Sequence, residues 1–398
     1  MSRVVGIGVI GMGWMGFVHS RSYRTIADRF HESGIRARLV ICADEVESRA
    51  REAQQRLGFE QWTTDWKQVV AHPDVQVVNV ASPNHTHLEI VRLAARHGKH
   101  VFCEKPVGLN SRETTAIAEL ARESRVLSWV GYNYRWAPVV QYARQLIESG
   151  KLGLLTHYRG RFLVDYGSNP DGVLSWRFQR ELAGHGVLGD LMSHVVDMAH
   201  TLAGPIQRVV GNQRTFINSR PVATPGQGTH FSTNAGAPRA PVSNEDYVGA
   251  LAQFQCGAQG TLEVCRIARG ARCEMAFELN GTKGAMRWNY ERMNELQLFV
   301  PDGSDEHDGP VLIQASAAHP WYSSFYPGPA NSMSYDDLKA IEAFQFLKSV
   351  VDGQQAQPGF AEAVKVAAVQ DAIARSWASQ RWETVEELAA GTAGACDA

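Results

Sequence analysis

Hydrophobic and polar positions follow two regimes along the chain. In the first third, short apolar runs alternate with stretches of helical spacing. The runs at 4–10, 39–43, 75–81, 100–103 and 127–132 have the length and continuity of strands, several of them buried on both faces. Between them, 47–57 and 88–97 read as helices that stop at Gly58 and Gly98. Ser111 is expected to cap a further helix, with Thr114 rather than an acid at its third position. Alternation of this kind predicts a parallel sheet with crossover helices.

The regime changes after about residue 135. Helical spacing at 139–149 and 188–202 brackets a strand-like run at 155–164. Further strand runs follow at 207–216, 246–255, 258–265, 273–279, 285–289 and 296–300, and helices at 335–351 and 361–378 close the pattern. Clustered strands with few helices predict an α+β arrangement around a large, mostly antiparallel sheet. Residues 219–244, rich in Pro, Gly, Ser and Thr, read as one long loop: a lid, an oligomer contact or a plain insertion.

Composition narrows the class. The chain has 398 residues, enough for two or three domains, and is 44% hydrophobic and 20% charged. A formal charge of −2 gives no electrostatic case for nucleic acid or a membrane surface. Six scattered cysteines without a C-x-x-C pair fit reduced thiols, and no apolar run is long enough to span a bilayer. The expected location is cytoplasmic.

The candidate chemistry begins where the first strand ends. Gly11, Gly13 and Gly16 form a G-x-G-x-x-G turn between a strand and a helix. The first glycine allows the turn, the second lets a pyrophosphate approach the backbone, and the third lets helix and strand pack closely. Asp44, at the end of the second strand run, suits the ribose hydroxyls of NAD and repels the 2′-phosphate of NADP; its other reading is a cap for the next helix. NAD is therefore expected, with NADP as the alternative. Lys105 follows the fourth of these strand runs, at the sheet edge where α/β folds bind ligands, and the Lys105–Pro106 bond is open to either isomer. Asp190 and His194, four apart on an expected helix, share a face, and a histidine there is suited to take a hydroxyl proton. Asp197 reads as structural. His85 and His87, with Asp190 and His194, offer a rival metal site; the strand-end turn at Pro83–Asn84 explains that segment without metal, and none is expected.

These motifs, in this order, together with Ser82-Pro83-Asn84-His85-Thr86-His87, Glu104-Lys105-Pro106 and 184–197, make the chain resemble the Gfo/Idh/MocA oxidoreductases over nearly its whole length. That is the family of glucose–fructose oxidoreductase and inositol dehydrogenase. The resemblance implies an N-terminal Rossmann-type α/β domain (1–132) and a C-terminal α+β substrate and oligomerisation domain with an open-faced sheet (133–388); the Ala/Gly-rich tail (389–398) is expected to fray. It implies Lys105, Asp190 and His194 as the catalytic set. It also implies Trp14, Met15, Ser82, Pro83, Asn84, His87, Glu104, Lys105 and Asn133, beside the three glycines and Asp44, as cofactor contacts.

Tyr132, Arg135, Asp165, Trp176, Arg177 and His319, with the catalytic set, are expected to hold a polyhydroxylated ring through aromatic faces and hydrogen bonds. The activity implied is oxidation of a secondary hydroxyl on a sugar, glycoside, anhydrosugar or cyclitol, with similarity around 165–178 to members that act at C3 of glucosides or anhydrosugars. A glycosidase that uses NAD transiently, a nucleotide-sensing regulator and a hydride-exchanging enzyme with bound cofactor are the alternatives. A homodimer or homotetramer is expected.

Overall fold

The computed structural model describes residues 3–223, 231–301, 303 and 308–386, arranged as two compact units. The first contains residues up to Asn133 together with Ser334–Lys365. Strands β1 (Arg3–Ile10), β2 (Ile35–Ala43), β3 (Gln61–Thr63), β4 (Val77–Val80), β5 (His100–Cys103) and β6 (Ser128–Val130) form a parallel sheet in the order β3-β2-β1-β4-β5-β6. The order reverses beside β1, and in such sheets ligands bind past the carboxyl ends of the strands on either side of that reversal. Helices α1 (Trp14–Arg29), α2 (Glu47–Leu57), α3 (Trp66–Ala71), α4 (His87–Arg96) and α5 (Ser111–Glu123) provide the crossovers. The cap of α5 is Asn110, whose side chain accepts the Glu113 N–H at 2.9 Å, so Ser111 is the first helical residue and not the cap.

The second unit contains Tyr134–Met333 and 366–387, the last of which lies outside the described residues. After α6 (Pro138–Glu148) and β7 (Leu155–Leu163) come the short helices α7 (Arg180–Ala183) and α8 (Val187–Asp190), then α9 (Met192–Ala203). The single helix expected over 188–202 is thus two helices that meet at Leu191. Strand β8 (Ile206–Arg214) leads into β9 (Ser219–Pro221) and β10 (Arg239–Pro241), an antiparallel pair inside the segment expected to be loop. Next come β11 (Tyr247–Phe254), β12 (Gln259–Cys265), β13 (Glu274–Gly281), β14 (Ala285–Asn289), β15 (Glu295–Phe299) and β16 (Val311–Gln314).

The chain then returns to the first unit through α10 (Tyr335–Asp352), passes along α11 (Phe360–Ser379), and ends its described part after β17 (Glu383–Thr384). Nine strands form one sheet in the order β16-β15-β14-β13-β7-β12-β11-β8-β17, antiparallel except at β7–β12. Helix α9 lies against β7, where a Cβ on Gly160 would come within 2.8 Å of Val195. The opposite face carries ion pairs: Arg159 pairs with Glu278 at 3.2 Å and Arg161 with Glu274 at 2.7 Å.

The expectation of one continuous domain over 133–388 is corrected by α10. Its Phe344 stacks on Phe30 of the first unit at 4.0 Å, and its Lys339 and Glu342 are buried there. The expected tail at 389–398 lies outside the described residues. Among the described residues, no helix is long and apolar enough to cross a membrane.

Candidate active site

In the first unit the glycine turn has the geometry a phosphate needs. Gly11 sits at φ +92°, and a Cβ there would meet the Ser82 nitrogen at 2.6 Å. A Cβ on Gly13 would meet nothing within 4 Å, so the backbone is open where α1 begins. A Cβ on Gly16 would lie 2.1 Å from the Gly11 oxygen. Asp44 Oδ2 accepts the Met12 N–H at 2.8 Å and Oδ1 accepts the Val46 N–H at 2.9 Å, so one carboxylate braces the turn and starts the approach to α2. The Arg49 guanidinium stands 3.9 Å from it. Exposed Trp14 stacks on Tyr335 at 5.5 Å, and the Met15 sulfur accepts the Tyr335 hydroxyl at 3.6 Å.

Past β4, the Ser82 and Thr86 hydroxyls hydrogen-bond at 2.6 Å, and Asn84 is buried. His87 is fully buried, with ring nitrogens 3.0 Å from the Ser82 carbonyl and 3.2 Å from those of Pro106 and Val107. Its expected role as a cofactor contact is corrected to that of a clamp, because the ring has no surface left for a ligand.

Glu104 and Lys105 follow β5, and the Lys105–Pro106 bond is cis. Glu104 is also buried, and its Oε1 takes the Lys339 ammonium and the His19 ring nitrogen, each at 2.8 Å. Its Oε2 accepts the Lys105 backbone N–H at 3.2 Å. Lys339 also pairs with Glu342 at 2.9 Å. Burial works against the charge on Glu104, yet Lys339, then His19 and Lys105, hold its carboxyl well below the usual range. Burial likewise opposes the charge on Lys339, and Glu104 with Glu342 outweighs it and raises its pKa. His19 is lowered by burial and by Lys339, which keeps it neutral near pH 7. The Lys105 side chain, by contrast, is only half-buried. Tyr132 and Asn133, after β6, are buried.

In the second unit Asp190 ends α8 and His194 lies in the first turn of α9. The His194 N–H donates to the Leu191 carbonyl at 3.1 Å, which carries the helical path across the junction. The imidazole is packed edge-on against Tyr134, ring centres 4.8 Å apart, and against Phe162 at 5.9 Å. The Tyr166 hydroxyl donates to Asp190 Oδ2 at 3.2 Å.

The sequence pattern puts Arg135 at the substrate. Its guanidinium is instead buried against Asp197, with Nε donating to Oδ2 at 3.0 Å and Nη2 to Oδ1. Both side chains of that ion pair are buried. Asp165 Oδ2 accepts from Arg272 at 2.8 Å, Arg177 lies 4.3 Å over the Trp176 ring, and His319 Nδ1 accepts the Ser316 N–H at 2.9 Å. Sequence reading missed Tyr166, and also Lys339 and His19 as partners of the Glu104-Lys105 segment. The available signal is the pair Lys339 and Glu342, three apart and interleaved with the apolar positions Leu338, Ala340, Ile341 and Ala343.

Residues 5–132 match the model for the oxidoreductase family, NAD-binding Rossmann fold, and 140–287 match the GFO/IDH/MocA C-terminal domain. The chain is 36% identical over 387 residues to levoglucosan dehydrogenase of Pseudarthrobacter phenanthrenivorans, covering 97% of this chain and 99% of that protein. It is 28% identical over 307 residues to scyllo-inositol 2-dehydrogenase (NAD(+)) of Bacillus subtilis, covering 76% and 79%. Among solved structures, levoglucosan dehydrogenase in complex with NADH and levoglucosan is similar at TM-score 0.91 and 35% identity, covering 96% of this chain and 100% of that one.

Proposed function

The chain belongs to the Gfo/Idh/MocA oxidoreductase family, and on that premise we propose an NAD-dependent dehydrogenase that oxidises a secondary hydroxyl of an anhydrosugar, sugar or cyclitol. Levoglucosan is the first candidate substrate, from the full-length likeness. The observation that carries the mechanism is the α8–α9 junction: a carboxylate on one turn, and on the next an imidazole braced by Tyr134 and Phe162.

The residues present fit the dinucleotide. The turn at Gly11, Gly13, Trp14, Met15 and Gly16 would receive the pyrophosphate, with the open backbone at Gly13 as its cradle. Asp44 would take the ribose hydroxyls, and Ser82, Pro83, Asn84 and Asn133 the nicotinamide end. When bound, NAD supplies the hydride acceptor.

The chain's own groups handle the proton and the charge. An imidazole nitrogen of His194 removes the substrate hydroxyl proton. The Lys105 ammonium donates to the reacting oxygen and stabilises the negative charge that develops on it. Asp190 orients the neighbouring hydroxyl. Asp165, Trp176, Arg177, Tyr132 and His319 serve the remaining hydroxyls and ring faces.

The test is a spectrophotometric panel of levoglucosan, free sugars, glycosides and inositols with NAD and with NADP. Net reduction of NAD, preferred over NADP, together with a keto product is expected. Release of aglycone without reduced NAD, or no turnover across the panel, would refute the reading.

A further inference from the structure

The strand pair inserted between β8 and β11 is built around a buried arginine. Arg220, on β9, is 1% exposed, and it reaches back to the loop after β7. Its Nη1 donates to the Asn169 carbonyl at 2.8 Å and its Nη2 to the Gly167 carbonyl. The guanidinium lies 4.0 Å over the Phe178 ring, while Arg266 stacks on the same ring at 4.4 Å. Arg266 is held by Asp246 at 2.7 Å, and the other Asp246 oxygen accepts the Phe216 and Ile217 N–H groups, which turn the chain into the insertion.

The loop is tied to the insertion along its backbone as well. Val173 N–H donates to Ser232 at 3.0 Å, and Leu174 N–H donates to Pro221 at 2.7 Å. A buried guanidinium answered by carbonyls and a ring face is a costly placement, and here it fixes one short loop. That loop begins with Asp165 and Tyr166 and ends with Trp176 and Arg177.

Within it, Tyr166 bonds the Asp190 carboxylate at 3.2 Å, and the Phe231 ring of the insertion stands edge-on to Tyr166 at 6.3 Å. Burial, then the Asp190 charge, raises the Tyr166 phenol above its ordinary range, so the hydroxyl keeps its proton and donates.

We propose that Tyr166 is a positioning residue for Asp190, and that the insertion, through Arg220, is the brace that sets its position and so governs sugar binding. The inference rests on the dehydrogenase reading above and adds to it a residue and an element that position the carboxylate for the sugar. A hydrogen bond to a carboxylate that must hold one orientation during reaction affects turnover more than it affects cofactor binding.

The experiment measures steady-state kinetics of the full chain with levoglucosan and with myo-inositol, for wild type, Tyr166→Phe and Arg220→Lys. Tyr166→Phe keeps the ring and is expected to lower kcat on the order of 10-fold, with the KM for NAD within about twofold. Arg220→Lys keeps the charge but loses the forked contact, and is expected to raise the sugar KM roughly 10-fold, again with NAD unaffected. An active wild type whose two variants keep both kcat and sugar KM would overturn the inference alone. Equal loss of sugar and NAD affinity would mean general unfolding, and would also overturn it. A wild type inert towards every sugar, glycoside and inositol of the panel above would overturn the dehydrogenase reading, and this inference with it.

Discussion

Lys105→Ala is expected to lower turnover on the order of 100-fold or more, the usual effect of removing a donor aimed at a developing oxyanion. The loss should fall on kcat, because the donor matters most where charge builds on the reacting oxygen. The fold should survive. Lys105 is only half-buried, and alanine keeps the backbone N–H that Glu104 Oε2 accepts. Thermal unfolding should therefore match wild type while turnover does not. Wild-type turnover in the variant would remove Lys105 from the mechanism.

Lys339→Met is expected to cost about 3–5 kcal/mol of stability, as breaking a buried ion pair from one side does. Glu104 and Glu342 would stay buried without their shared ammonium. The sign of the pH dependence follows from Glu104. In wild type its carboxyl is held below the usual range, so its contribution is present above the ordinary glutamate pKa and is lost as pH falls through the depressed value. In the variant, burial without Lys339 favours the protonated acid. The deficit relative to wild type should therefore be largest near neutral pH and shrink as pH falls through about 4. Denaturant unfolding at both pH values measures it. A loss under about 1 kcal/mol, or one that grows on acidification, would contradict a charged Lys339–Glu104 pair.

Much of this architecture is legible in the pattern of residues. Apolar runs mark β1, β2 and β5, glycine stops mark the ends of α2 and α4, and the spacing of Gly11, Gly13 and Gly16 marks a phosphate turn whose open backbone the structure displays. Other features leave no periodic trace. β3 has three residues, too few for a pattern, and α3 beside it has six. The break at Leu191 has Gly189 two residues before it but no Pro, and a glycine inside a helical pattern does not by itself mark a break.

Periodicity predicts that α10 has buried positions, but not that they pack on α1 in the first unit. Arg135 looked like a ligand residue because its counter-charge, Asp197, is 62 residues away. Tyr166 is a loop aromatic whose partners, Asp190 and Phe231, become neighbours only when the fold is complete.

The most direct measurement is a double-mutant cycle of turnover with levoglucosan, using Lys105→Ala, His194→Ala and the pair. If the ammonium and the imidazole act on one hydroxyl, each single variant loses on the order of 100-fold or more, and the pair loses little beyond the worse of the two. Losses that multiply in full, or either single variant turning over like wild type, would show that the two groups do not serve the same step.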